Sequence, residues 1–261
     1  MVVLKKGLSI VVNTKNEESH IEECLNSVKS WANEIVVIDM SSTDKTVEIA
    51  KRLGAKIYST PDIGWVEPIR NWSFDKANYE WVLSLDADEI VPKTLRDKID
   101  EIIKDDNYDV VKIPWKNIFF NKWIQHALWW PDRHPRLFRK GYVKLEKRIH
   151  PEAICKGRVL ELEAKEKWAV VHNNAENINV WMKKIDTYTS RENFFDKQNN
   201  LTPGELINRF DNEFVERYFN SKGYMDGVHG YVLSKFMEFY RFLEFAKYWE
   251  RKGYCELFEK N

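Results

Sequence analysis

Only three cysteines occur in 261 residues, and Cys24, Cys155 and Cys255 stand far apart in no C-x-x-C spacing. That odd, scattered set argues against a disulfide framework or a zinc knuckle and makes a reducing cytoplasm the default compartment. No run of about 18 uncharged apolar residues occurs. The N-terminus MVVLKKGLSIVVNT also lacks the apolar core and small-residue cleavage site of a secretory signal, so neither a membrane span nor secretion by that route is expected. An excess of one charge is missing too: 41 Lys and Arg face 41 Asp and Glu. A protein that neutralises nucleic-acid phosphates normally shows a basic surplus, so no nucleic-acid partner is expected. What the chain does hold in quantity is aromatic, with 11 Trp, 11 Tyr and 14 Phe. That load excludes a disordered, collagenous or low-complexity chain and supplies a sizeable core. The length suits about one to two domains.

The first hundred residues alternate β-branched runs with helical patterns, which predicts βαβ units and a mostly parallel sheet. Strands are expected at 8–12, 35–39, 55–58 and 81–85. Ile21, Cys24, Leu25, Val28 and Trp31 share one helical face. A second helix is expected after Ser42 or Thr43 as N-cap, with Gly54 as its stop. Pro92 opens a third, which buries Leu95, Ile99, Ile102 and Ile103. From Asp109 the pattern turns irregular and aromatic, with short strand candidates at RLF, YVKLE and WAVVH. After about residue 176 it is helical, punctuated by Pro203-Gly204 and Lys222-Gly223. The expected division is a first domain over 1–175 and a helical extension over 176–261. In the last helix, charges alternate in sign at every third residue from Lys235 to Glu250. A period of three precesses around an α-helix, so this helix is expected to pack on changing sides.

In a parallel α/β sheet, ligands bind beyond the carboxyl ends of the strands. Three such ends are polar here: Asn13 to Glu18, Asp39 with Ser41 to Asp44, and Asp86 with Asp88. Such a set suits a nucleotide, with one Asp accepting from base or ribose and a carboxylate pair holding a hard cation against phosphates. A lone D-x-D is more often a solvated loop, and its place at a strand end is what raises its value.

VNTKNEE, VVIDMSSTDKT and WVLSLDADE, followed by RLFRKG, RIHPE, VVHN and GYMDGVHGY, together resemble the family 2 glycosyltransferases of GT-A fold. Within that family the likeness is to lipopolysaccharide-core glucosyltransferases and their relatives. The resemblance implies an α/β fold of GT-A type, Rossmann-like with helices on both sheet faces, plus the C-terminal helices. It implies that Thr14 and Glu17 line a uridine pocket and that Asp39 binds base or ribose. Arg70 and Asn71 would reach the nucleotide or its phosphates. Asp86 and Asp88 would bind Mg2+ or Mn2+, with Asp88 the more direct ligand, and His172 would add a metal or diphosphate contact.

An inverting transfer needs a base for the acceptor hydroxyl. Glu152 is the first candidate and Asp132 the second; Glu152 also reads as a surface ion-pair partner of Arg148. In the basic run from Arg133 to Arg148, Arg136 and Arg139 are the expected contacts to the donor diphosphate or an anionic acceptor. Trp123, Trp129 and Trp130 read first as core. The expected partners are a nucleotide-sugar donor, UDP-linked glucose or a near relative, and a glycan or glycolipid acceptor. The expected place is the cytoplasm, with peripheral contact at the inner face of a membrane left open. A nucleotidyltransferase would want a Gly-rich phosphate loop where Gly7 is the only glycine. A D-x-D-x-T phosphatase would carry its motif on the first strand rather than the fourth. A catalytically silent nucleotide-binding partner remains the third alternative.

Overall fold

The computed structural model describes residues 4–146, 153–191 and 202–253. Its strands are β1 (Lys5–Thr14), β2 (Glu34–Asp39), β3 (Lys56–Ser59), β4 (Tyr79–Asp86), β5 (Glu89–Ile90), β6 (Val110–Phe119), β7 (Lys122–Trp123), β8 (Asp132–Arg139), β9 (Val143–Leu145), β10 (Ala153–Cys155), β11 (Val159–Glu161) and β12 (Val170–Ala175). Its helices are α1 (Ile21–Val28), α2 (Thr46–Arg52), α3 (Glu67–Asp75), α4 (Lys93–Asp105), α5 (Ile178–Thr189), α6 (Pro203–Val215) and α7 (Val228–Arg251). They form two compact units. One is drawn from Met1–Lys116 and Pro131–Asn173, the other from Asn117–Trp130 and Asn174–Asn261.

The first unit is an α/β sheet in the order β3-β2-β1-β4-β8-β6-β12-β5. β3, β2, β1 and β4 run parallel, and β8 turns antiparallel against both β4 and β6. The continuous apolar run of β1 has no polar side to give to water, so it is covered on both faces. Leu8, Ile10 and Val12 enter one core with α1 and α4. Val11 enters the opposite one with Val36, Ile38, Phe74 and Phe138.

One local expectation is corrected and one element is new. α2 begins at Thr46, because Asp44 accepts from the Thr46 N–H and hydroxyl, while Ser42 and Thr43 are stitched to Asn16 instead. α3, which had no counterpart in the sequence reading, starts with Pro68 in its first turn and is the element that delivers Arg70.

The second unit packs α5 and α7 around Phe119, Trp181, Ile185, Leu233, Met237 and Tyr240. Here α7 does not change sides: Gly230, Leu233, Met237, Tyr240, Glu244 and Tyr248 are buried along it at the spacing of one helical face. The charge alternation survives because Glu244, although buried, is paired with Arg209 and Arg241. Gly230 has no alternative residue, since a Cβ there would lie 1.8 Å from the Gly223 carbonyl oxygen.

Candidate active site

The parallel register sets the site. Thr14 is level with Asp39 across β1 and β2, and Asn13 is level with Asp86 across β1 and β4, so the ends of three strands meet in one row. Asp39 is buried and accepts from the Ser42 N–H at 3.2 Å. Glu17, just before α1, holds His20 Nδ1 at 2.7 Å and donates its own N–H to Thr46 Oγ1.

Two arginines converge on Asp86 Oδ2: Arg70 Nη2 at 2.9 Å from α3 and Arg136 Nη2 at 3.4 Å from β8. Burial alone would raise the Asp86 carboxyl, but these cations outweigh it and hold the group below its ordinary value. Arg70 is held above its own ordinary value in return, the Asp86 charge overcoming the burial that would lower it. Arg136 also donates to Glu89 Oε1 at 2.8 Å and lies over the Trp115 ring at 4.3 Å.

Asp88 follows on the β4–β5 turn, its Oδ2 3.5 Å from His172 Nε2 with both side chains nearly enclosed. Among the described residues no three His, Cys, Asp or Glu side chains gather into a ready metal cage. The donor set that exists, one carboxylate beside one imidazole, fits a hard cation that takes its remaining oxygens from phosphates and water.

Four buried polar atoms at this place have no hydrogen-bond partner: Asn13 Nδ2, Thr14 Oγ1, Arg70 Nη1 and Arg136 Nε. Leaving such a group unpaired costs about 1–3 kcal/mol. Two of them stand at the carboxyl end of β1 and two on the arginines that meet Asp86 at the carboxyl end of β4, the end of a parallel sheet where polar ligands bind.

Asn71 and Arg139 are not brought to this cluster. The Asn71 amide is spent on the Leu145 backbone, donating to its carbonyl and accepting from its N–H. Arg139 is level with Trp81, near the opposite end of β4, where Glu80, Asp106 and Asp109 take its guanidinium. The physical reason is strand polarity: because β8 runs antiparallel to β4, three residues along it lead away from Asp86. Glu152 lies outside the described residues. Asp132 lies at the start of β8, its Oδ1 2.8 Å from His134 Nε2.

The sequence reading gave no site role to Glu89, Trp115 or His134. The Trp115 ring lies 3.9 Å from His134 and 4.6 Å from His172. Burial, against the pull of Asp132, leaves His134 below its ordinary value. Glu89 is fully buried, and that burial pushes its carboxyl up to about 7 despite Arg136. Strand alternation was the available signal for His134, which shares a face of β8 with Asp132 and Arg136.

Residues 9–167 match the family model described as "Glycosyl transferase family 2". The chain belongs to that family. An uncharacterized glycosyltransferase of Rickettsia bellii is 42% identical over 107 residues, 41% of this chain and 36% of that protein. One of Rickettsia typhi is 27% identical over 257 residues, 93% of this chain and 86% of its relative. Among solved structures, residues 1–349 of Staphylococcus aureus TarS share the fold at a TM-score of 0.51 and 17% identity, over 95% of this chain and 92% of that one. The family 2 sheet and its C-terminal helices are thus present, and the protein is a transferase of glycosyl groups. No helix among the described residues is long and apolar enough to cross a membrane.

Proposed function

We propose that this family 2 transferase moves a hexose, glucose in the first instance, from a UDP-linked donor to a glycan or glycolipid acceptor with inversion. The observation that carries the reading is the group of four unpartnered buried polar atoms among Asp39, Asp86 and the two arginines. Asp39 and Thr14 take the uridine, with Glu17 at the rim of its pocket. Arg70 and Arg136 face the diphosphate, whose charge matches two buried guanidinium groups better than any neutral ligand would. Asp88 and His172, with Asp86 beside them, would hold Mg2+ or Mn2+, which supplies charge stabilisation to the departing diphosphate. A carboxylate accepts the acceptor hydroxyl proton as that oxygen bonds the anomeric carbon and the bond from carbon to diphosphate breaks with its electron pair. Glu152 remains the first candidate for this task, with Asp132 second. The first domain carries the donor site, and peripheral contact with a membrane face would suit a lipid-linked acceptor.

Isothermal titration with UDP, with and without Mn2+, tests the donor half. Binding that strengthens with Mn2+ and loses that gain in Asp88→Asn is expected. No binding of UDP under either condition overturns the reading. Product analysis with UDP-sugars and glycolipid extracts tests the acceptor half, and Glu152→Ala should bind donor yet lose turnover.

A further inference from the structure

Glu89 sits on β5 with none of its surface exposed, level with His172 on β12. Its two carboxyl oxygens have different tasks. Oε2 accepts the backbone N–H of Asp86 at 3.0 Å, and Oε1 accepts Arg136 Nη2 at 2.8 Å. The same Arg136 nitrogen reaches Asp86 Oδ2 at 3.4 Å, so Glu89, Asp86 and Arg136 close a ring of three. Arg136 is braced from its other side by Trp115, whose ring also meets His172.

A carboxyl group enclosed in this way is expensive to desolvate, and a hydrophobe of similar volume usually serves stability as well or better. Both of its hydrogen bonds go to residues of the strand-end cluster and none to a distant element of the core. The rationale for a carboxyl group here is therefore geometric. It needs two acceptors at one point, one for the turn that carries Asp86 and Asp88 and one for the guanidinium beside them.

We propose that Glu89 is a positioning residue for donor binding, a clamp that holds the Asp86-to-Asp88 turn and the Arg136 guanidinium at fixed places relative to each other. This deepens the donor-site reading above and rests on it. Preorganisation of this kind lowers the cost of binding, because the groups that meet the ligand need not be ordered when it arrives.

The substitution that isolates the clamp is E89Q. Both neighbours are hydrogen-bond donors, and glutamine offers one acceptor oxygen and an NH2 group in place of two acceptors. One contact must break while the volume stays the same. E89D keeps two acceptors on a shorter arm and serves as the conservative variant.

The 261-residue chain carries the test, by thermal unfolding, by titration of UDP in the presence of Mn2+, and by electron paramagnetic resonance of Mn2+ alone. In folded E89Q the Kd for UDP with Mn2+ is expected to rise about 10-fold, a loss of about 1.4 kcal/mol, with partial recovery in E89D. A purely structural role would lower the melting temperature and leave that Kd unchanged, which would overturn the proposal. If E89Q does not fold, E89D gives the same decision: its Kd rises, or the clamp is refuted. If the wild-type chain binds no UDP, the donor reading fails, and Mn2+ binding alone decides the clamp: weaker in the variants supports it, equal refutes it.

Discussion

At the end of the strands remote from Asp86, Glu34 should be the residue whose loss most disturbs the sheet. Its side chain is 3% exposed. It accepts from Ser9 Oγ on β1 at 2.8 Å, from the Asn78 N–H at 2.9 Å, from the Asn78 amide, and from Lys56 Nζ on β3. Ser9 in turn accepts the N–H of Tyr79 at the start of β4. One carboxylate thus ties four parallel strands, and a register slip of one residue would separate Asn13 from Asp86 and Thr14 from Asp39. Glu34→Ala leaves the fully buried Ser9 hydroxyl without its acceptor, at about 1–3 kcal/mol, while the donors of Asn78, an exposed residue, turn to water. The Lys56 pair adds about 0–1 kcal/mol, because its ammonium end is 60% exposed and screened. A total of about 1–4 kcal/mol corresponds to a fall of roughly 2–16 °C in melting temperature. The pH dependence gives a second reading. Burial would raise the Glu34 carboxyl, but the bonds from Lys56, Asn78 and Ser9 prevail and lower it. Its contribution is therefore present above the unfolded value of about 4.3 and is lost as pH falls through the lower folded value. Calorimetric scans between about pH 3 and 7 should show the wild type losing stability on acidification more steeply than Glu34→Gln. Equal melting temperatures at pH 7, or equal acid slopes, would refute the argument.

Gly230→Ala should disrupt the second unit beyond the roughly 1–3 kcal/mol of ordinary overpacking, since the new methyl would meet the Gly223 carbonyl at 1.8 Å. Far-ultraviolet circular dichroism and limited proteolysis would report it, and a variant with wild-type resistance would disprove the close approach. Arg139→Met should lower stability by removing the partner of Glu80, Asp106 and Asp109 while leaving the Kd for UDP unchanged. A weakened Kd would return Arg139 to the donor site.

Most of the α/β layout was legible because it rests on local pattern. The β-branched runs at Leu8, Ile35 and Trp81 became β1, β2 and β4, and Leu95, Ile99 and Ile102 became the buried face of α4. The strand-end acids were legible for a topological reason: a parallel sheet gathers the residues that follow its strands. Glu89 was hidden because, in the run Asp86-Ala87-Asp88-Glu89, a third acid reads as one more charge on a solvated turn. Its burial depends on β12, which lies some eighty residues away. Arg136 and Arg139 look alike in a basic run, and only the antiparallel pairing of β8 with β4 sends one to Asp86 and the other to Glu80.

High aromatic content excluded by itself a disordered or low-complexity chain, and the alternation of β-branched runs with helical patterns determined the α/β class. Apolar spacing determined the strands that bring Asp39 and Asp86 to one edge, since burial of a two-sided strand is written in consecutive residues. The tertiary structure decided the rest. It assigned the aromatic segment Asn117–Trp130 to the unit of the C-terminal helices, kept α7 on one buried face, and surrounded Asp86 with two arginines and a buried glutamate. Those outcomes depend on which surfaces meet across long separations in the chain, where partners and not neighbours set the burial and charge of each side chain.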